Sequence, residues 1–537
     1  MELIDLNAKQ IMERCKEKAK NAGLKFDPHT LEYNVTNRDM IELSPKIFIP
    51  TMYDYWIQDI HVLHGEGEYQ ISPHNAYETV INSRPAMSFY NDNNTDWMNT
   101  MIFYHVLGHI DFFQNNALFS QTWNDDFVGQ SLANKRAIER LRSKHGRWVD
   151  YVIEAARGLD NIVGFHEDLN TANFPNEIKL PPKVDFYFNI FLKEESIKPS
   201  KQSDELEKYN KILDQNPELI DSLFFADVKN NFPEFEEQFK RYQNEEKPKK
   251  HNDVLEYILH NSPKLRKKEN EWMKEIITIV REAGLYFAPQ MRTKIMNEGW
   301  ASYWHDELFR NDEIVRSREI DYAKLNAGVT ALTKGRINPY AIGLRLIQYV
   351  EELADKGKLT YDFEKIKDTE TREKYDLKTG KGKEMIFKLR KEFSDFELIN
   401  RFVDQDFMDK HKLYVIGQRI NQQKRKMEYY IKSRKAEDYK KMLINILPDP
   451  PHITVNLKKT NEESLYLKHH FEGKPLITQF IPNTMIGIEH IWGNAVLLDT
   501  TEVIMGQNDQ GQFTMQNQVR YKMKDKKIRK RLTEAQK

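Results

Sequence analysis

The sequence predicts a mainly α N-terminal body followed by a small α+β C-terminal domain. Three observations predict it. Apolar residues recur at helical spacing through most of the first 445 positions. Pro448, Pro450 and Pro451 then punctuate the chain. Beyond them, apolar and polar residues alternate as in strands.

The elements follow in order. Asp5 to Ala22 is amphipathic and closed by Gly23, which predicts a helix. Residues 30 to 65 mix turns with aromatic runs such as Tyr53-Asp54-Tyr55-Trp56. Asn94-Thr95-Asp96 offers capping oxygens for a long helix ending before Asn115-Asn116. Further helices are expected over Ser131 to Lys144 and Val149 to Leu159. From Glu195 to Asn252 the chain is dense in Lys, Glu, Asp and Asn and carries four prolines, the composition of a solvated insertion or linker. Helical spacing returns at Val254 and at Trp272, with a break over Leu285 to Pro289. More helices are predicted over Tyr340 to Leu353 and Glu384 to Arg390, and a basic one over Ile420 to Leu443. Strands are expected at His452 to Leu457, Leu465 to Phe471, Ala495 to Thr501 and Phe513 to Lys522, with a helix from Ile477 to Trp492. The chain thus divides into a helical half (1–194), the charged insertion (195–252), a second helical half (253–445), the α+β domain (450–523) and a basic tail (524–537).

Composition narrows the function. The 81 basic and 82 acidic residues nearly cancel, which argues against a wholesale polyanion binder. Nucleic acid is therefore not an expected partner, and contact would be local, at Lys424-Arg425-Lys426 or the tail. A lone cysteine, Cys15, excludes a disulfide framework and a thiolate cluster. The acidic start Met1 to Asp5 lacks a secretory h-region, and no stretch approaches the ~18 apolar residues of a membrane span. A cytoplasmic protein without a membrane partner is the expectation.

Two distant segments concentrate chemistry. In the first, His105 and His109 are four apart, so on a helix they share one face about 40° apart, the geometry with which paired imidazoles hold a divalent ion. The second, Asn297 to His305, carries Glu298 and His305 beside Trp300, Tyr303 and Trp304. Seven positions separate the two ligands by about 20° in azimuth and about 10 Å along the axis. That rise leaves open whether both reach one ion. A carboxylate among aromatic rings costs several kcal/mol to bury unless it is paired or metal-bound. His105, His109, Glu298 and His305 are therefore the candidate ligands of a divalent metal, with Zn²⁺ the first choice. In His-Glu-x-x-His peptidases the residue after the first histidine is the general base; here it is Val106. A hydrolase would need another base, and Glu78 in its apolar run precedes Asp111 as candidate.

These segments resemble the SpoVR family. The resemblance rests on Tyr77-Glu78-Thr79-Val80-Ile81-Asn82, on His105 to His109 through Phe112 to Asn116, and on Leu285 to Lys294 continuing into Asn297 to His305. Asn338-Pro339-Tyr340-Ala341, Phe393-Ser394-Asp395 and Trp492-Gly493 also fit. The resemblance implies a cytoplasmic bacterial or archaeal protein linked to spore cortex formation or stress physiology. It implies a PrkA-type serine kinase and a von Willebrand A-like protein as partners. The Glu298-Gly299-Trp300-Ala301 run is also similar to that of proposed metallopeptidases with an upstream Gly-His. Three readings stay open: a metal-dependent hydrolase; a non-catalytic regulator or adaptor of a kinase complex with a structural His/Glu site; and nucleic-acid binding through Lys524 to Arg531 and Lys424-Arg425-Lys426, against which stands a merely solvated terminus.

Overall fold

The computed structural model describes residues 1–41, 77–120, 122, 127–164, 181–192, 205, 208–209, 212, 220–244, 251, 253–332, 337–360, 363, 366–421, 426–448, 450–471, 474–508 and 511–533. The Tyr53 to Trp56 run lies outside them. By contacts the chain separates into one unit of Met1–Asn173 with Asn252–Lys537, and a second of Phe174–His251.

The larger unit is mainly helical, with strands concentrated towards its C-terminal end. Its first part holds α1 (Leu6–Asn21) and the strands β1 (Glu2–Leu3), β2 (Thr30–Val35), β3 (Glu78–Ile81) and β4 (Ala86–Asn91). These strands form a sheet of order β1-β2-β4-β3, with β2 and β4 parallel, which the sequence pattern did not announce. Next come α2 (Asp96–Asn115), α3 (Phe127–His145) and α4 (Trp148–Arg157). After residue 252 follow α5 (Val254–Asn261), α6 (Glu271–Arg292), α7 (Lys294–Arg310), α8 (Glu319–Val329) and α9 (Pro339–Asp355). The body closes with α10 (Gly382–Glu392), α11 (Asp395–Phe402) and α12 (Gln405–His411).

Three expectations are corrected here. The predicted break at Leu285 to Pro289 is absent, because α6 runs through Pro289 to Arg292. Burial of Tyr286, Ala288 and Pro289 outweighs the lost backbone donor. The predicted basic helix over Ile420 to Leu443 is instead a hairpin, β5 (Val415–Asn421) with β6 (Lys426–Ser433), followed by α13 (Ala436–Ile444). Its β-branched and aromatic residues suit a pleat better than a helix. The basic tail is not free, since Lys527–Leu532 forms a strand.

That strand, β11, edges a five-stranded sheet of order β11-β10-β9-β8-β7. Its other members are β7 (His452–Val455), β8 (Ser464–His470), β9 (Ala495–Asn508) and β10 (Gly511–Lys524). Between β8 and β9, which are parallel, runs α14 (Ile481–Trp492), ended by Gly493 at φ +94°. The sheet and α14 share a core with α3 to α6, through Leu465, Val496, Trp492 and Ile277 among others. A separate core joins α1, α2, α7 and α9 through Phe112, Trp300, Trp304 and Ile347.

In the smaller unit, Pro182–Phe186, Ile220–Asn231 and Phe235–Asn244 are helical. They carry their own aromatic cluster of Phe186, Tyr187, Phe191, Phe224 and Phe235. The charged stretch taken as a linker from residue 195 thus shares a packed unit with residues upstream of it. Aromatics spaced through it bury enough apolar surface to hold a small core.

Candidate metal centre

The site is built on two helices that cross at small residues. Thr100 to Phe113 of α2 are all buried, so this helix is enclosed on every side. A Cβ on Gly108 would sit 2.8 Å from the Ala301 Cα, so the α2 and α7 backbones touch where a larger residue could not fit. On the far side of α7, a Cβ on Gly299 would meet Gly343 of α9 at 2.4 Å. The start of α7 is fixed by Asp395, whose two oxygens accept the Ile295 and Met296 backbone N–H groups at 2.8 Å each. Burial pushes the Asp395 carboxyl up to about 7, against the pull of those donors. Close crossing of α2 and α7 at Gly108 and Ala301 brings His109 and Glu298 near one another.

Four of the six predicted side chains come together. The Nε2 atoms of His105 and His109 are 3.1 Å apart. Glu298 Oε2 lies 3.7 Å from His109 Nε2 and 3.9 Å from His105 Nε2. Glu78, at the start of the edge strand β3, places Oε1 3.8 Å from His105 Nε2. Glu78, His105 and His109 each turn one ligand atom to a common point.

His305 does not join them. It meets His105 at the other ring edge, Nδ1 to Nδ1 at 2.9 Å. Two turns of helix carry it behind His105 rather than beside Glu298. Asp111 is likewise excluded as a base. It turns to the opposite side of α2, accepts the Lys25 backbone N–H at 2.7 Å and Trp300 Nε1–H at 2.8 Å, and faces Arg390 Nε at 3.5 Å.

The hydrogen bonds fix the imidazole tautomers. Asp306 accepts from Asn326 Nδ2 at 3.2 Å and from the Tyr322 hydroxyl. The Asn326 Oδ1 therefore faces His305 Nε2 at 3.3 Å, and that nitrogen donates. Its Nδ1 is then the acceptor for His105 Nδ1–H, which leaves His105 Nε2 a bare lone pair. Asn297 Oδ1, 2.9 Å from His109 Nδ1, makes that nitrogen a donor too. Both Nε2 lone pairs face each other across 3.1 Å, with the Glu298 Oε2 buried and lacking a donor.

Electrostatics follow from this enclosure. Burial, then the neighbouring His109 and His305 rings, hold His105 well below the usual imidazole range. Burial lowers His305 to about 4. Burial, then Glu298, pushes the Glu78 carboxyl up to about 8. Such a set of acceptors is costly to keep empty. Ligands held about 2.1 Å from one ion stand roughly 3–3.4 Å from each other. The histidine pair already has that spacing, and Glu78 Oε1 and Glu298 Oε2 each lie within 4 Å of His105 Nε2.

Sequence reasoning missed three participants. Tyr340, at the first turn of α9, stacks on His105 with ring centroids 6.0 Å apart, and its hydroxyl lies against Glu298. Burial and the two glutamates raise that hydroxyl above the usual phenol range. Asn297 and Asn326 orient the imidazoles. The Asn338-Pro339-Tyr340 turn was a usable signal, because Asn338 caps α9 and so sets where Tyr340 points.

The arrangement can be set beside known proteins. The sequence profile described as SpoVR like protein matches residues 5–448. The chain belongs to the SpoVR family. Its similarity extends to an uncharacterized protein, YcgB, of Escherichia coli strain K12. The two are 24% identical over 502 residues, covering 88% of this chain and 87% of the relative. No solved structure matches. The family match spans every residue of the centre, from Glu78 to Tyr340. No described helix is long and apolar enough to cross a membrane.

Proposed function

We propose that the protein binds one divalent metal ion through His105, His109 and Glu298, with Glu78 as fourth ligand or as the neighbouring base. One observation carries this reading: two imidazole Nε2 atoms 3.1 Å apart, beside a buried carboxylate oxygen that has no donor. Nitrogen and carboxylate donors of this kind suit Zn²⁺, and such an ion supplies Lewis acidity and lowers the pKa of a bound water. The chain's own groups would do the rest. His305 and Asn297 hold the imidazoles in their ligating tautomers. Glu78, at 3.8 Å from His105 Nε2, is placed to take a proton from a water at the centre. The supported activity is therefore metal-dependent hydrolysis, on a substrate that the residues do not define.

Native protein purified without a histidine tag should carry about one equivalent of divalent metal by elemental analysis, and His109→Ala should lose it. Far less than one equivalent in the native chain sinks the proposal.

A second reading is favoured by Val106, fully buried where peptidases of this pattern carry their base. The ion would then only tie α2 to α7, and the protein would serve as an adaptor for a PrkA-type kinase. Retention of kinase capture in a pull-down with Glu78→Gln, together with no hydrolytic change, would favour it. Loss of hydrolysis in that variant would exclude it.

A further inference from the structure

The C-terminal sheet has two unlike faces. One packs on α14 through Leu465, Val496, Val519, Tyr521 and Met523. Strand alternation turns the residues between them to the open face. On β10 these are Arg520, Lys522 and Lys524; the β11 residues opposite are Arg531, Arg529 and Lys527. Three alternate cross-strand pairs, all on this face, therefore place cation directly against cation, an arrangement that destabilises a sheet. Lys468 of β8 extends the same face through its register with Asp499.

The fold pairs one cation on the packed side and one on the open face and, among the described residues, leaves the others on the open face without a carboxylate. Lys530, alternate to the open-face residues, meets Glu502 at 2.5 Å. On the open face, Asp499 is held by Arg520 at 2.7 and 3.0 Å. Among the described residues, Lys522, Lys524, Lys527, Arg529 and Arg531 have no carboxylate partner. Six cations on two adjacent strands form a stripe about 14 Å long and about 5 Å between rows. A stripe matches a linear polyanion rather than a plane of headgroups. The exposed apolar pair Ile504 and Met515 shares the parity of the packed face, so no apolar anchor accompanies the cations.

We propose that this open face binds the phosphate backbone of single-stranded nucleic acid. Lysine and arginine rows release counterions on meeting phosphates, and an open sheet face is a known platform for single strands. Among the described residues, the Tyr466 ring on this face is covered by Lys459 and Arg520, and the stacked His452–His470 pair lies on β7 and β8, away from the cation rows. Recognition is therefore phosphate-led and tolerant of sequence. The face lies beyond the residues matched by the family profile, and its formation needs no metal.

The test is fluorescence anisotropy of the full chain with a labelled 20-nucleotide oligouridylate across a salt series. About four phosphate contacts give a slope of log K on log salt near −3. The variant Lys522→Gln/Arg529→Gln/Arg531→Gln should bind at least tenfold more weakly, with a shallower slope. Its melting temperature should be unchanged or higher, because cross-strand repulsion is relieved. Absence of binding at 50 mM salt, or a variant with the parent's affinity and slope, overturns the proposal. So does tighter binding to phosphatidylglycerol vesicles or to polyglutamate than to the oligonucleotide.

Discussion

Asp111 is a buried carboxylate and Glu298 a partly buried one on the two crossing helices, and their surroundings differ in kind. Asp111 receives the Lys25 N–H and Trp300 Nε1–H and faces Arg390. Every component of its compensation lies within the chain. Glu298 has one oxygen without a donor, and its neighbours are two imidazole nitrogens, the Tyr340 hydroxyl and a second carboxylate. The first acid belongs to the architecture, while the second is the one for which a metal ligand role is proposed. Burial of a polar group is thus not by itself a mark of function; the mark is burial without internal compensation.

The largest effect expected from this contrast is at Arg390. Arg390→Ala strips the countercharge from Asp111 and should cost about 3–5 kcal/mol in chemical denaturation, with or without metal. A loss below about 1 kcal/mol would mean that Asp111 is no better compensated than Glu298.

Metal should act on the other acid alone. Zn²⁺ at 100 times its dissociation constant should stabilise the parent by about 2.7 kcal/mol. The thermal shift should vanish in His109→Ala and persist in His305→Ala at reduced metal affinity. An equal shift in all three proteins would remove the distinction between ligand and supporting ring.

Glu298→Gln sharpens the comparison further. In chelator-treated protein it removes an uncompensated charge and should leave stability unchanged or raised by about 1 kcal/mol. Asp111→Asn, by contrast, should destabilise. If Glu298→Gln is the more damaging of the two, the assignment of roles is reversed.

A pH slope tests the neighbouring acid. With its folded pKa near 8, above the unfolded carboxyl value, Glu78 binds its proton more tightly in the folded chain. Its contribution is fully present below the unfolded pKa and is lost as pH rises towards 8. Metal-free parent protein should therefore lose more stability between pH 5 and 8 than Glu78→Gln does. Parallel unfolding curves for the two would place Glu78 in an ordinary solvated setting.

Much of this was legible from residue order. His105 and His109 share a helix face, Asp96 opens that helix, and the alternation after Pro451 does give strands, because these patterns depend only on local periodicity. The parallel pairing of β2 with β4 was not legible, since its partners are separated by more than fifty residues. Pro289 misled because local propensity favoured a break that packing overrode. The Lys527 to Arg531 run misled because charge density suggests a free tail, whereas alternation turns only part of it to solvent.

Sequence by itself determined which side chains could bind a cation, since donor chemistry and helical spacing are properties of the chain. Tertiary structure alone decided which of them meet. The crossing at Gly108 and Ala301 brings Glu298 to the imidazoles, turns His305 behind its neighbour and directs Asp111 to Arg390. Contact between residues some two hundred positions apart depends on how closely two backbones can approach, and local spacing does not encode that distance.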